Sequence, residues 1–254
     1  MVWCRVCNGL HSMRIVGATS EIMDNCSGTI YELSLMGLIS LLDRCGEVAW
    51  RDHMRHHLDI WLSSRESKIH RSVYGGMGSF NDLVICKFNN HNVERDQEPW
   101  VNTLLMYFQS LALEYSRKPK VLPAESKIMR SLRPERVIIQ GWRCLKCGYS
   151  EVSPTDIDAY LCGRFLKAKI AACFLAGDVE DIVDSCLKME FEGLDEARTL
   201  TASALEAISA KVEPAADWNE PCPKCNEHDK AVYSWEVDKN NKVSPCPDNL
   251  PLHK

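Results

Sequence analysis

The sequence contains no apolar run approaching twenty residues, and its first residues lack the basic, then apolar, then small pattern of a secretory signal peptide. These absences predict a chain that neither spans a membrane nor is exported. A net charge of -5 over 254 residues opposes a general nucleic-acid-binding protein. No nucleophile–base arrangement or paired catalytic carboxylates stand out, so no catalytic residue is predicted. The balance of 45% hydrophobic and 26% charged residues is typical of a soluble globular protein.

Cysteine, in contrast, is abundant. The chain has 13 cysteines, an odd number, and four of them form two CxxC units. An odd count together with metal-ligand spacing indicates a reducing compartment rather than a disulfide framework. We therefore expect the protein to be cytoplasmic.

The two CxxC units are the most specific feature of the sequence. They are Cys144-Leu-Lys-Cys147 and Cys222-Pro-Lys-Cys225. A cysteine pair at this spacing on a tight turn can occupy two corners of a tetrahedron, and a second pair supplies the other two. The sequence therefore predicts a four-thiolate zinc site. Because four protein ligands leave no open position, this site is expected to be structural.

Aromatic residues flank both units and favour short strands beside them. Trp142 precedes the first unit, while Tyr233, Trp235 and Val237 follow the second. This arrangement resembles the two hairpins of a zinc ribbon, interrupted by a long insert.

The same units also resemble the two knuckles of a rubredoxin-like iron site. The segments that carry the resemblance are Cys144–Tyr149 and Asp217–Cys225, and the pattern departs from that family at Asn226, where glycine is usual. The knuckles are also much farther apart in this chain than the family's short loop allows. The resemblance implies iron and electron transfer as the alternative to zinc.

Two helices are predicted near the start of the chain. Apolar residues occur all round a helix over 29–43, and a second helix over 47–63 has a core face that includes Trp50 and Trp61. His53 and His57 in the second helix have metal-ligand spacing, but no glutamate follows His53 as in a zinc protease motif. The simpler interpretation is that His57 is partly buried while His53 and His56 lie on the surface.

A glycine-rich stretch, Tyr74-Gly-Gly-Met-Gly-Ser-Phe-Asn-Asp-Leu-Val-Ile85, comes next. The run Leu83–Ile85 predicts a short buried strand. With its flanking helices, this block resembles a small bacterial domain family of unknown function with a GGMGS[FL]NDLV core. The resemblance covers residues 28–117 and implies a bacterial source and, by analogy, an accessory or immunity-type role. An enzymatic alternative places Asn81, Asp82 and His57 together near the turn.

The first 22 residues are the hardest to interpret. Cys4, Cys7 and His11, with Cys26, could form a second zinc site. Alternatively, translation begins at Met13 or Met23 and these residues belong to no domain.

Charge is unevenly distributed along the second half. Residues 117–143 contain eight basic and two acidic residues, and residues 151–213 contain thirteen acidic and six basic ones. Both stretches can be ordinary solvated surface. The basic stretch could instead contact nucleic-acid phosphates, and the acidic one could bind a protein partner.

Together these observations predict a mainly α protein: an N-terminal helical domain and a small β zinc ribbon interrupted by a three-helix insert. The predicted segments are an extension (1–22), a helical domain (23–117), a basic linker (118–140), a ribbon (141–239) with its insert (153–212), and a tail (240–254). The predicted role is protein–protein interaction. Nucleic-acid binding and iron-based electron transfer are the alternatives.

Overall fold

The computed structural model describes residues 2–4, 9–11, 28–132, 137–213, 220–238 and 240–249. The predicted ligands Cys7 and Cys26 lie outside these ranges, and so do Asp217 and Trp218 of the second knuckle segment. Cys4 lies in strand β1 (Val2–Cys4), which pairs antiparallel with β2 (Gly9–His11). Within the described ranges, no helix has both the length and the apolar character needed to cross a membrane.

The described part of the chain is mainly helical, as predicted. It contains seven α-helices, in chain order: α1 (Ile30–Arg44), α2 (Val48–Ser64), α3 (Glu98–Tyr115), α4 (Glu125–Ser131), α5 (Pro154–Ala176), α6 (Glu180–Lys188) and α7 (Leu194–Ala207). The first two begin at side-chain caps. The Thr29 hydroxyl accepts from the N–H of Glu32 at 3.2 Å, and the Glu47 carboxylate accepts from that of Trp50 at 3.2 Å. These bonds satisfy amides that have no partner within the helix.

The described chain divides into two compact units. The first contains the residues up to Leu83, together with Leu105–Leu132 and Lys169–Val183. The second contains Val84–Leu104, the described residues up to Ala168 that follow 132, and those from Asp184 onward. The domain boundaries expected from the sequence remain a prediction.

The core of the first unit is built on α1 and α2. Tyr31 of α1 packs edge-on against Trp61 of α2, with ring centroids 5.5 Å apart. Gly37 of α1 faces the ring of Phe108, and a Cβ atom at Gly37 would lie 2.5 Å from Phe108 Cζ. Glycine at this position therefore allows the aromatic ring to lie directly on the helix backbone.

A five-stranded sheet forms the second unit's β structure. Its strands are β3 (Val137–Cys144), β4 (Ser150–Val152), β5 (Ala210–Val212), β6 (Lys230–Val237) and β7 (Val243–Pro245), in the spatial order β5-β4-β3-β6-β7. Neighbouring strands are antiparallel except β4 and β5, which are parallel. Side chains alternate across the sheet, so Ile139 and Trp235 are buried while Ile138 and Val232 are exposed.

The strand predicted at Leu83–Ile85 is wrong. A 3-10 turn covers Phe80–Asp82, and the chain after it pairs with a side chain instead of a strand. The N–H of Ile85 donates to Asn102 Oδ1 at 2.9 Å, and Asn102 Nδ2 donates to the carbonyl of Ile85 at 2.7 Å. The Asn102 amide thus satisfies both backbone groups that a neighbouring strand would have satisfied.

Candidate metal centre

Two turns with the same backbone geometry carry the four cysteines. In the first, the N–H of Gly148 donates to the carbonyl of Cys144, whose own N–H donates to the carbonyl of Tyr149. In the second, the N–H of Asn226 donates to the carbonyl of Cys222, whose N–H donates to the carbonyl of Glu227. We call these turns the first and second knuckle.

The equivalent residues Gly148 and Asn226 explain the departure from glycine noted in the sequence. Both lie in the left-handed region, with φ of 74° and 60° respectively. Asparagine is among the few residues that adopt this conformation at low cost. Asn226 therefore performs the backbone role of the missing glycine.

The two knuckles bring all four sulfur atoms together. Each close contact joins one knuckle to the other: Cys144 Sγ lies 3.5 Å from Cys225 Sγ, and Cys147 Sγ lies 3.6 Å from Cys222 Sγ. All four sulfurs lie within 4.8 Å of one another. A tetrahedral ion with metal–sulfur distances of about 2.3 Å needs sulfur separations of about 3.8 Å. The four cysteines could therefore hold one metal ion.

Charge at the centre also suits a cation. Burial raises the pKa of Cys144, but the backbone N–H groups of Cys147 and Lys146 stabilise its thiolate more strongly, so its pKa falls to about 7. Burial, with the neighbouring sulfurs, raises the pKa of Cys225 to about 12. Thiolates this close together repel one another. A divalent ion would supply the positive charge that lets all four ionise together.

Aromatic rings cover the centre on one side. Trp142 and Tyr149 pack together with ring centroids 5.7 Å apart, and both belong to the cluster around the cysteines. Lys230 Nζ lies 3.8 Å from the centroid of the Trp142 ring. The hydroxyl of Tyr149 donates to Glu151 at 2.8 Å. Trp142, Tyr233 and Trp235 lie in β3 and β6, where the sequence indicated strands.

An open cleft of about 800 Å³ borders the first knuckle. Its cationic lining residues are Arg143, Lys146, Lys211 and Lys224, and Glu206 opposes them. Lys146 also forms an ion pair with Glu227 across the two knuckles. Four thiolates around one divalent ion would carry a charge of about -2, which these cations would help to balance.

His53 and His56 lie on the surface as predicted, but His57 is fully rather than partly buried, and it has a partner that the sequence did not reveal. His57 is 1% exposed, whereas His53 and His56 are exposed. His57 Nδ1 lies 3.1 Å from Nδ1 of His70, which is fully buried, and His70 Nε2 lies 3.0 Å from the Tyr74 hydroxyl. His70 follows no apolar periodicity, so spacing gave no signal for it.

The donors and acceptors of this hydrogen-bond chain can be assigned from the contact that Tyr74 makes at one end. The Tyr74 hydroxyl donates to the carbonyl of Gln109 at 3.2 Å, and a carbonyl can only accept. His70 Nε2–H therefore donates to Tyr74, which leaves His70 Nδ1 to accept from His57 Nδ1–H. Both imidazoles are neutral in this arrangement. They act as a buried polar link within the first unit.

In the glycine-rich turn, the carboxylate of Asp82 caps neighbouring backbone. Asp82 Oδ2 accepts from the N–H of Ser79 at 3.1 Å, and together they form a capping box for the 3-10 turn. Asn81 is exposed. These contacts explain Asp82 as a capping residue, and they provide no support for the catalytic alternative that combined it with Asn81 and His57.

A family model described as a domain of unknown function (DUF6966) matches residues 43–94. No curated protein and no solved structure matches the chain. The matched segment spans α2 and the glycine-rich turn, and it includes neither knuckle. The resemblance expected over residues 28–117 is thus supported over this segment as a domain of unknown function, which assigns no activity.

Proposed function

We propose that this protein is a zinc-binding accessory or immunity-type protein of the bacterial cytoplasm. Cys144, Cys147, Cys222 and Cys225 form a structural zinc site within a ribbon that α5–α7 interrupt, and the protein acts by binding another protein. The convergence of four sulfurs within 4.8 Å carries the metal assignment.

The structural role of the metal follows from the number of ligands. Four thiolates complete a tetrahedron, so no position is left for water or substrate. The ion would instead connect the segment that precedes β6 to the turn between β3 and β4. The ten cysteines from Cys45 to Cys246 are all free thiols, which supports the reducing cytoplasm as the location.

Metal analysis of protein purified without added metal tests the assignment. Elemental analysis should give one zinc per chain, and the sample should be colourless. Cys222→Ser should lose the metal, whereas Cys246→Ser, which changes a cysteine outside the site, should retain it. Iron with visible charge-transfer absorption would replace zinc with the rubredoxin-like alternative. A wild-type protein without bound metal would contradict both.

An acidic loop supports the protein-binding role. Glu190, Glu192, Asp195 and Glu196 lie exposed between the end of α6 and the first turn of α7. Phe191, within this loop, stacks on Trp100 at 4.8 Å with a 16° angle between the rings. This stacking fixes the backbone that carries the carboxylates, so a partner with a basic surface would bind with a small loss of loop entropy.

Affinity capture with charge-matched variants tests this role. We expect wild-type protein to capture a partner that Glu190→Lys/Glu192→Lys/Glu196→Lys loses. The control Asp59→Lys/Glu66→Lys/Glu125→Lys changes the net charge equally at exposed positions elsewhere. A partner retained by the acidic-loop variant but lost by the control would contradict the proposal, as would the absence of any partner at every salt concentration.

A further inference from the structure

The first unit contains a second cationic cleft, of about 540 Å³, at the C-terminal end of α3. Residues from α3, the following turn and α4 line it. Its four cations are Arg117, Lys118, Lys127 and Arg130, and Glu114 is its acidic lining residue. We call it the α3–α4 cleft. It lies within the basic stretch that the sequence analysis identified by its charge. The sequence did not predict how that stretch folds into a cleft.

Buried contacts hold the walls of this cleft in place. The Tyr115 hydroxyl donates to the carbonyl of Lys127 at 3.4 Å and accepts from Ser131 Oγ at 3.3 Å, which ties α4 to the end of α3. Ile128 of α4 is fully buried. The carbonyl of Val121 accepts from the N–H of Ile30 at 2.9 Å, which anchors the connecting turn to α1. The cations therefore project from a fixed backbone.

The cations of this cleft are available to a ligand. Arg117, Lys118, Lys127 and Arg130 are all exposed. Among the residues that the structure describes, no carboxylate forms an ion pair with any of them, whereas Lys146 beside the metal centre is paired with Glu227. No cysteine is among the described residues that line this cleft, so no thiolate balances their charge there. The cleft is thus a positive region on a chain whose net charge is -5.

The number of cations around the cleft favours a ligand with many phosphates over a single nucleotide. Lys120, also exposed, lies in the turn beside the cleft and brings the described cations of this region to five. Five cations exceed what the phosphates of one mononucleotide require. A nucleic-acid strand presents one phosphate per nucleotide and matches a series of cations along its length.

We propose that the α3–α4 cleft binds the phosphate backbone of a nucleic-acid strand, with Arg117, Lys118, Lys127 and Arg130 contacting successive phosphates. These contacts carry no base recognition, so binding is insensitive to sequence. Because each contact displaces condensed counterions from the strand, the affinity falls steeply as salt rises. This binding is separate from the zinc site and from the acidic loop.

Fluorescence anisotropy with a labelled single-stranded 20-mer, from 50 to 200 mM KCl, tests the proposal on the full chain. Lys127→Glu/Arg130→Glu should bind ~10-fold or more weakly than wild type, and the slope of log affinity against log salt should decrease by about 1–2. Lys127→Arg/Arg130→Lys should retain the wild-type affinity and slope. Both changes lie at exposed positions, and thermal melting with metal analysis checks that each variant is folded and metal-loaded.

Two further variants locate the binding site. Lys68→Glu/Lys188→Glu makes the same change in net charge at exposed positions outside both clefts, and it should bind as wild type does. Lys211→Glu tests the cleft beside the metal centre and should also bind normally. The proposal is overturned if the wild type does not bind the strand, if Lys127→Glu/Arg130→Glu binds as wild type does, or if either of these two variants loses binding equally.

A competitor distinguishes nucleic acid from an acidic protein. Poly-glutamate of equal charge should displace the strand only at concentrations ~10-fold or more above those of unlabelled 20-mer. Equal displacement would assign the cleft to acidic polypeptides and overturn the proposal. Loss of zinc through Cys222→Ser should leave strand binding intact whenever the first unit stays folded, so failure of the zinc assignment is distinguishable from failure here.

Discussion

Gly148 and Asn226 occupy equivalent positions in the two knuckles, and both have a left-handed backbone that places the preceding cysteine turn in the same conformation. The two halves of the metal centre thus share one backbone conformation, although a different residue adopts it in each. This equivalence predicts how each position tolerates substitution.

We expect Asn226→Gly to change the free energy of unfolding by less than ~0.5 kcal/mol, because glycine adopts positive φ freely. Asn226→Ala and Gly148→Ala should each cost about 1–2 kcal/mol, because a Cβ atom without a polar side chain disfavours this region. Thermal unfolding of the metal-loaded protein, with zinc affinity measured by chelator competition, checks both values. An Asn226→Ala variant indistinguishable from wild type would contradict this account of the second knuckle.

Removal of the metal should destabilise the protein. A ligand that binds only the folded state stabilises it by about 4 kcal/mol when present at a thousand times its dissociation constant. A zinc chelator should therefore lower the melting temperature of wild-type protein and of Cys246→Ser. Cys222→Ser should already melt at the lower temperature, and a further decrease on adding chelator to this variant would show that the effect does not arise at this centre.

Gly37→Ala should destabilise the first unit through its contact with Phe108. The added Cβ atom would lie 2.5 Å from the ring, and overpacking of this kind costs about 1–3 kcal/mol. The better helix propensity of alanine recovers at most about 1 kcal/mol. In Phe108→Leu the ring is absent, so Gly37→Ala should cost less in that background. Urea unfolding of the four proteins in this cycle measures the coupling, and simple additivity would contradict the predicted clash.

Acid should weaken the first unit through its buried histidines. Burial, the largest cause, lowers the pKa of His57 to about 4 and that of His70 to about 3, while both titrate near 6.5 when unfolded. The unfolded state therefore binds more protons between these values, and stability is lost as pH falls below about 6.5. We expect the free energy of unfolding to fall by ~2–4 kcal/mol between pH 7 and pH 5.

Variants separate this effect from acid loss of the metal, which all the proteins share. His57→Gln should reduce the pH dependence by about half. His53→Gln/His56→Gln should reduce it much less, because these exposed side chains contribute only the smaller, coulombic causes of the lowered pKa of His57. Urea unfolding at a series of pH values provides the measurement. A His57→Gln protein with the full wild-type pH dependence would show that the acid sensitivity arises elsewhere.

The sequence predicted those features that local patterns determine. The apolar positions of α1, the face of α2 with His57 buried, and the four cysteines are each set by spacing within a few residues or by recognisable turn chemistry. The aromatic residues that flank the two CxxC units, Trp142 and Trp235 among them, likewise indicated strands.

Features that depend on distant residues could not be predicted in this way. Asn102 pairs with Ile85, and His70 meets His57, only because the intervening chain folds back on itself. The parallel pairing of β4 with β5 depends on the course of three helices between them. The excess of basic residues over 117–143 gave no sign that Arg117 and Arg130 line one cleft.

The separation of the two knuckles along the chain has a consequence for biosynthesis. Cys144 and Cys225 are 81 residues apart, and the segment between them must emerge from the ribosome before the second pair of thiolates exists. At ordinary rates of about 5–20 residues per second, the first knuckle waits several seconds with two of its four ligands. Metal acquisition therefore has to await the emergence of Cys225, and a chain terminated before Cys222 would carry a half-site unable to enclose an ion.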